Sequence, residues 1–270
     1  MSPEPKDWPA LQEAFWKFVR EPLMSDPGQN DKWREISDGA QSCLDLGRKL
    51  GAELGKHGQI QVDDDEWTVR WYTLCYGCMH FDALTTLLRM LLREKWESVP
   101  ELTSSKSKPL LHVDLGCGPG TASWAVVRHL SGHSFVSTIG FDHNKHMIGL
   151  AHSMTSYIAT SAKQTFCADR NDFEHKIEER LDSGNPWNAV VVTANAFFSQ
   201  NSVKHETVDW TVNLLRTLSS HGAPLFVIGT HPEFNESRTT EVWGIIAGIS
   251  GTQVICEGVR VPPPHDFFGQ

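Results

Sequence analysis

The stretch from Leu110 to Thr121, Leu-Leu-His-Val-Asp-Leu-Gly-Cys-Gly-Pro-Gly-Thr, constrains this chain more than any other. Its first half is a short apolar run with an acid at the fifth position, which suits a buried parallel strand that ends in polar chemistry. In its second half Gly116, Gly118 and Gly120 alternate with Cys117 and Pro119. The backbone there can take positive φ and approach a ligand with no Cβ in the way. Thr121 can then cap a helix running through Ala122, Trp124, Ala125, Val126 and Val127. Strand, glycine turn and helix together predict a nucleotide-type pocket at a helix N-terminus.

Downstream the pattern alternates strand with helix. Strands are predicted at 135–141, 164–168, 187–194, 224–230 and 252–261, and helices at 144–157, 173–181, 203–219 and 239–249. This alternation specifies an α/β fold with a doubly wound, mostly parallel sheet, its ligand lying over the carboxyl ends of the strands. The polar, serine-rich stretch 98–109 divides this domain, residues 109–270, from an N-terminal helical cap over 1–108.

Within the cap, Trp8, Leu11, Phe15, Trp16 and Val19 recur near helical spacing, and Pro22 is expected to close that segment. A second helical segment is expected from Asp31 to Leu54, interrupted by its glycines. The acidic run Asp63 to Glu66 reads as a loop that places acids at the start of the next helix rather than as a metal site. From Trp67 to Trp96 the apolar periodicity predicts one long helix, or two joined near Gly77. Trp71, Tyr72, Tyr76 and His80 include side chains with an apolar body and a polar tip, a type that lines substrate pockets.

The glycine turn departs from the dinucleotide fingerprint, because Gly120 falls one position early and Thr121 stands where the third glycine belongs. Asp114-Leu-Gly-Cys-Gly-Pro-Gly-Thr instead resembles the first motif of the class I S-adenosylmethionine-dependent methyltransferases, in which an acid precedes G-x-G-x-G. With the downstream strands the resemblance covers residues 109–270. It implies a Rossmann-like fold, S-adenosyl-L-methionine as cofactor, and a site built from strand ends. Asp114, Gly116, Cys117, Gly118 and Gly120 would hold the methionine portion. Asp142 would take the ribose hydroxyls, leaving Asn144 to cap the next helix. Asp169 would meet the adenine, with Asp172 as a competitor that has its own capping role. Asn195 would face the transferring methyl group, and Phe197 and Phe198 would border the meeting place of donor and acceptor. Amino-methylating members of the family carry Asn or Asp before Pro-Pro-aromatic. Here Ala196-Phe197-Phe198 follows Asn195, which argues against DNA-amino or glutamine methylation. His80 and His231 are the two candidates for a general base.

Composition bounds the partners. A formal charge of −9 offers no basic face for duplex nucleic acid. No apolar run approaches the roughly 18 residues that span a bilayer, and the N-terminus lacks the layout of a signal peptide, so no membrane association and a cytoplasmic location are expected. Six scattered cysteines, with Cys75 and Cys78 at helical spacing, read as reduced core thiols rather than as a zinc site or a disulfide framework. The expected activity is methyl transfer without metal, to a small molecule first, a protein side chain next and RNA third. A catalytically silent or non-methylating protein that binds the same cofactor is the alternative, and a nicotinamide oxidoreductase ranks below both.

Overall fold

The computed structural model describes residues 8–38, 49, 65–94, 99–103, 108–130, 135–157, 163–184, 187–195, 197, 205–230 and 236–249. Five strands, β1 (Leu110–Leu115), β2 (Val136–Phe141), β3 (Lys163–Cys167), β4 (Ala189–Asn195) and β5 (Leu225–Thr230), form one sheet in the order β3-β2-β1-β4-β5, parallel at every pairing. Every residue of β1 is buried, as expected of a central parallel strand covered on both faces. The order reverses between β1 and β4, and a crevice at such a switch point is where this architecture binds ligands. The carboxyl ends flanking it carry Gly116 and Asn195.

Period-two alternation sorts the strand residues onto two faces. Leu111, Val113, Leu115, Val190 and Val192 share one core with α9 (Arg170–Leu181), α10 (His205–Ser220) and α11 (Glu236–Ala247). Leu110, Val136, Ala189, Val191 and Ile228 point the other way, into a core shared with α7 (Thr121–Leu130) and α8 (Lys145–Tyr157). The N-terminal helices belong to this second core. Among the described residues they are α1 (Trp8–Phe15), α2 (Glu21–Ser25), α3 (Pro27–Ser37), α4 (Glu66–Tyr72), α5 (Cys78–Glu94) and the short α6 (Pro100–Thr103). Leu11, Phe15, Val19, Leu84 and Leu88 lie in it, and so do Val99 and Leu102 from the stretch read as a boundary.

Two π-helical turns interrupt these helices, Trp16–Arg20 and Thr73–Gly77. The first explains why Pro22 does not end its segment. The chain stays helical through it, and the carbonyl that Pro22 leaves without an N–H four residues back, Phe18 O, accepts instead from Arg70 Nε at 3.0 Å. The helix closes instead at Asp26, whose extended backbone begins α3 and whose Oδ1 accepts from Gln29 N at 2.9 Å. The second expected segment therefore starts at Pro27, and its described part ends at Ser37. The expected strand at 252–261 lies outside the described residues. No described helix is long and apolar enough to cross a membrane.

Candidate functional site

Gly116, Gly118 and Gly120 all take positive φ, at 64°, 51° and 86°. The turn is held by Cys117 N donating to Phe141 O at 2.9 Å, and α7 then starts from Trp124 N donating to Gly120 O at 3.0 Å. The glycines do different work. A Cβ on Gly116 would stand 2.5 Å from the Phe197 ring, so glycine there lets Phe197 close against the strand end. A Cβ on Gly118 would meet nothing nearer than Met147 Sδ at 4.0 Å, so its outer side is open. On Gly120 it would meet Phe166 Cζ and Trp124 Nε1, both at 3.4 Å, on the inner side of the turn.

Asp142 ties this turn to the neighbouring strand. Gly118 N donates to its Oδ2 at 3.0 Å and Asn144 N to its Oδ1 at 2.9 Å. Each carboxylate oxygen keeps a further lone pair. Burial pushes the Asp142 carboxyl up, against the pull of the Asn144 and Gly118 N–H groups and of His143. Capping of α8 falls to Asn144, as read from the sequence, its Oδ1 accepting from His146 N at 3.0 Å and Met147 N at 3.1 Å. At the next strand end the roles differ from expectation. Asp169, not Asp172, caps α9, its Oδ1 accepting from Asp172 N at 3.0 Å, and α9 consequently starts a turn earlier than its apolar pattern suggested. Asp169 is exposed.

Asp114 is 1% exposed and faces inward rather than toward the open side of the turn. Its Oδ1 accepts from Thr193 Oγ1 at 2.7 Å and its Oδ2 from Ser123 Oγ at 2.8 Å. One carboxylate thus pins β1 to β4 and to the first turn of α7, and through α7 it steadies the glycine turn. Burial pushes it up to about 6, opposed by the two hydroxyl donors and seconded by the Asp142 charge. Behind it, His112 Nε2 lies 2.8 Å from Thr193 Oγ1, and Nδ1 lies 3.2 Å from Thr138 Oγ1. Cys117 is also buried, its thiol pushed well above its ordinary value by burial and by Asp114 and Asp142, so it serves packing here.

The N-terminal helices reach the same rim. A Cβ on Gly77 would lie 3.5 Å from Thr121 Cγ2, which sets the second π turn against the N-terminus of α7. At the other end of α4, Asp65 accepts from Trp67 N and Thr68 N and so caps the helix, as the acids before Trp67 suggested. Burial pushes its carboxyl up, but those bonds and the nearby His146 outweigh it and hold the carboxyl below its ordinary value. The segment 65–77 therefore runs from the N-terminus of α8 to that of α7, along the carboxyl edge of the sheet. Tyr72, Tyr76 and His80 gather there as half-buried rings. Trp71 does not join them. It is 1% exposed, its Nε1–H donates to Gln29 Oε1 at 2.7 Å, and it stacks on Trp33, so it is a core residue and not a pocket wall. Burial holds His80 down at about 4, which keeps it neutral at pH 7 and makes it a weak base.

Asn195 ends β4 opposite Thr230. Its side chain, Phe198 and His231 lie outside the described residues, whereas the Phe197 ring lies against Gly116 of the turn. Reading from sequence missed His112, Thr138, Thr193 and Ser123. The available signal was the period of two, which puts His112 on the face of Asp114 in a strand with no solvent to satisfy a ring nitrogen. It also missed Gly140, where a Cβ would come within 2.6 Å of Phe166 and 3.0 Å of Cys117 Sγ. Comparison with known proteins gives no match, either to a family model or to a curated sequence.

Proposed function

We propose that this chain is a class I S-adenosylmethionine-dependent methyltransferase whose N-terminal helices form a cap over the acceptor site. The observation that carries this reading is the glycine turn, with positive φ at Gly116, Gly118 and Gly120, standing at the switch point of a 3-2-1-4-5 parallel sheet. Asp142 at the adjacent strand end supports it. The structure offers a fit for such a cofactor: Gly118 leaves an open cradle, and Asp142 keeps acceptor capacity on both oxygens for a ribose diol. The first backbone N–H groups of α7 suit the cofactor's carboxylate.

In this reading Asp142 binds the ribose and Asp169 the base. Gly116, Cys117, Gly118 and Gly120 hold the methionine portion through their backbone, and Asp114 acts behind them by fixing α7. When bound, the cofactor would supply an electrophilic methyl on a sulfonium, to which an acceptor's lone pair could be delivered. The chain's own contribution is alignment and exclusion of water, by Phe197 from one side and the 65–77 segment from the other. Asn195 stands at the end of β4, where the transfer would occur. A small-molecule acceptor is favoured by the aromatic rim and the net acidic charge.

The deciding experiment is thermal unfolding of the purified chain with S-adenosylmethionine, S-adenosylhomocysteine or NAD. Stabilisation by the first two and not by NAD is expected. A shift with NAD alone would replace the assignment by a dinucleotide enzyme.

A further inference from the structure

Tyr72, Tyr76 and His80 follow one another at four-residue steps through α4, the π turn Thr73–Gly77 and α5. In an α-helix a step of four overshoots a turn of about 3.6 residues, and side chains so spaced drift around the axis. The wider π turn falls short over the same step, and passing through it cancels the drift, as suits a feature found at functional sites. All three rings therefore meet on one side. The Tyr72 and Tyr76 centroids are 5.1 Å apart, those of Tyr76 and His80 6.4 Å, and those of Tyr72 and His80 6.2 Å. Tyr72 and His80 are tilted by 36° and 33° against Tyr76, which makes a faceted aromatic surface.

This surface has a defined place and a defined chemistry. Gly77, next to Tyr76, packs on Thr121, the first residue after the glycine turn. The nearby Arg70 is committed to Glu66 and to Phe18 O. His80 is neutral because of its burial, so the three rings carry no formal charge, only phenolic and imidazole polar tips. Centroids this close leave no space among the rings for an ammonium group, and a guest must lie against them.

From this geometry we infer that the Tyr72–Tyr76–His80 cluster is the acceptor-binding surface and that it takes an uncharged, planar aromatic molecule bearing the hydroxyl or amine to be methylated. The assignment rests on the methyl-transfer reading for the word acceptor, but the surface itself can be tested apart from it.

The test uses a matched pair, 2-naphthol and its saturated analogue decahydro-2-naphthol, titrated calorimetrically into the full chain saturated with S-adenosylhomocysteine. Both are uncharged alcohols on one carbon skeleton and differ in aromaticity. The expected result is one site for 2-naphthol and binding of the saturated alcohol weaker by about tenfold, the worth of one or two stacking contacts. Tyr76→Phe, which keeps the ring, should bind 2-naphthol as the parent does. Tyr72→Leu/Tyr76→Leu should bind it at least about tenfold more weakly, with the thermal shift given by S-adenosylhomocysteine unchanged. Equal affinity for the two alcohols, or no binding of 2-naphthol while S-adenosylhomocysteine binds, overturns the inference, and this arm needs no variant. If S-adenosylhomocysteine gives no shift but 2-naphthol binds and discriminates, the aromatic site stands and the cofactor reading fails.

Discussion

His112 Nε2 lies 2.8 Å from Thr193 Oγ1, and that contact sets the direction of a wholly buried chain of hydrogen bonds. Thr193 spends its single proton on Asp114 Oδ1, so its oxygen must accept from His112, which therefore carries its proton on Nε2. Nδ1 is then an acceptor, and Thr138 Oγ1 must donate to it. The chain Thr138, His112, Thr193, Asp114 and Ser123 is satisfied with a neutral imidazole and an ionised carboxylate. It joins three strands to the helix behind the glycine turn. His112→Phe leaves one buried hydroxyl without an acceptor, that of Thr138, and should cost about 1–3 kcal/mol. Thr193→Val strips a donor from the carboxylate and orphans the imidazole N–H as well, and should cost roughly twice as much. Urea unfolding of the two variants checks the order, and equal costs would mean that the contacts do not act as one chain.

The same chain makes stability depend on pH. Burial holds His112 down at about 3. Its neutral form therefore contributes stability that is complete above the ordinary value of 6.5 and is lost as pH falls toward 3. Asp114, pushed up to about 6 by burial, has the opposite sign: its contribution is fullest below 3.8 and is lost as pH rises through 6. Between these values the two oppose each other. His80 and His129, each held down at about 4 mainly by burial, add to the side of His112. Melting temperature should consequently fall as pH is lowered from 7 to 5. In His112→Phe the corresponding loss of unfolding free energy should be smaller by about 1 kcal/mol per pH unit averaged over this range, since the unfolded imidazole titrates at 6.5 within it. A wild-type curve flat over this range, or parallel curves for the two proteins, would refute the linkage.

How much of this was legible in the chain itself follows a physical line. The strand, the turn and the order of elements are set by local patterns, so β1 to β5 fall within two residues of their expected bounds. The capping role of Asn144 and the positive φ of the three glycines are equally local consequences. What could not be read is non-local. That Asp114 turns inward depends on Thr193, seventy-nine residues away, and on which face α7 covers. That Trp71 is core depends on Gln29 and Trp33 meeting it from another helix. The π turns were invisible because nothing in composition distinguishes Thr73–Gly77 from an ordinary helical turn. Yet the second of them, Thr73–Gly77, decides where Tyr72, Tyr76 and His80 point.

Gly116→Ala meets two obstacles that can be separated. Alanine at φ 64° pays about 1–2 kcal/mol for the left-handed conformation wherever it is placed. Here its Cβ also meets the Phe197 ring at 2.5 Å. Gly116→Ala should be destabilised by more than the conformational term alone. In Gly116→Ala/Phe197→Ala the clash is gone, and the double variant should be less destabilised than the sum of the two single changes. Chemical unfolding of the four proteins gives the coupling directly. Additive costs would show that Phe197 is not held against the turn in solution.

Asp169 allows a cap to be told apart from a ligand. It closes the N-terminus of α9 with one carboxylate oxygen, so Asp169→Ala should lower stability by about 1 kcal/mol, and Asp169→Ser, a comparable capping residue, should restore it. Serine is too short to reach a base from the strand end. If Asp169 also meets the adenine, both variants lose affinity for S-adenosylhomocysteine to a similar extent, whatever their stability. Asp142→Ala serves as the reference. It removes the acceptor of Gly118 N and Asn144 N together with the ribose contact, so it should abolish most of the thermal shift and also lower the unliganded melting temperature. Should Asp169→Ser bind S-adenosylhomocysteine as tightly as the parent chain while Asp142→Ala does not, Asp169 is a helix cap alone.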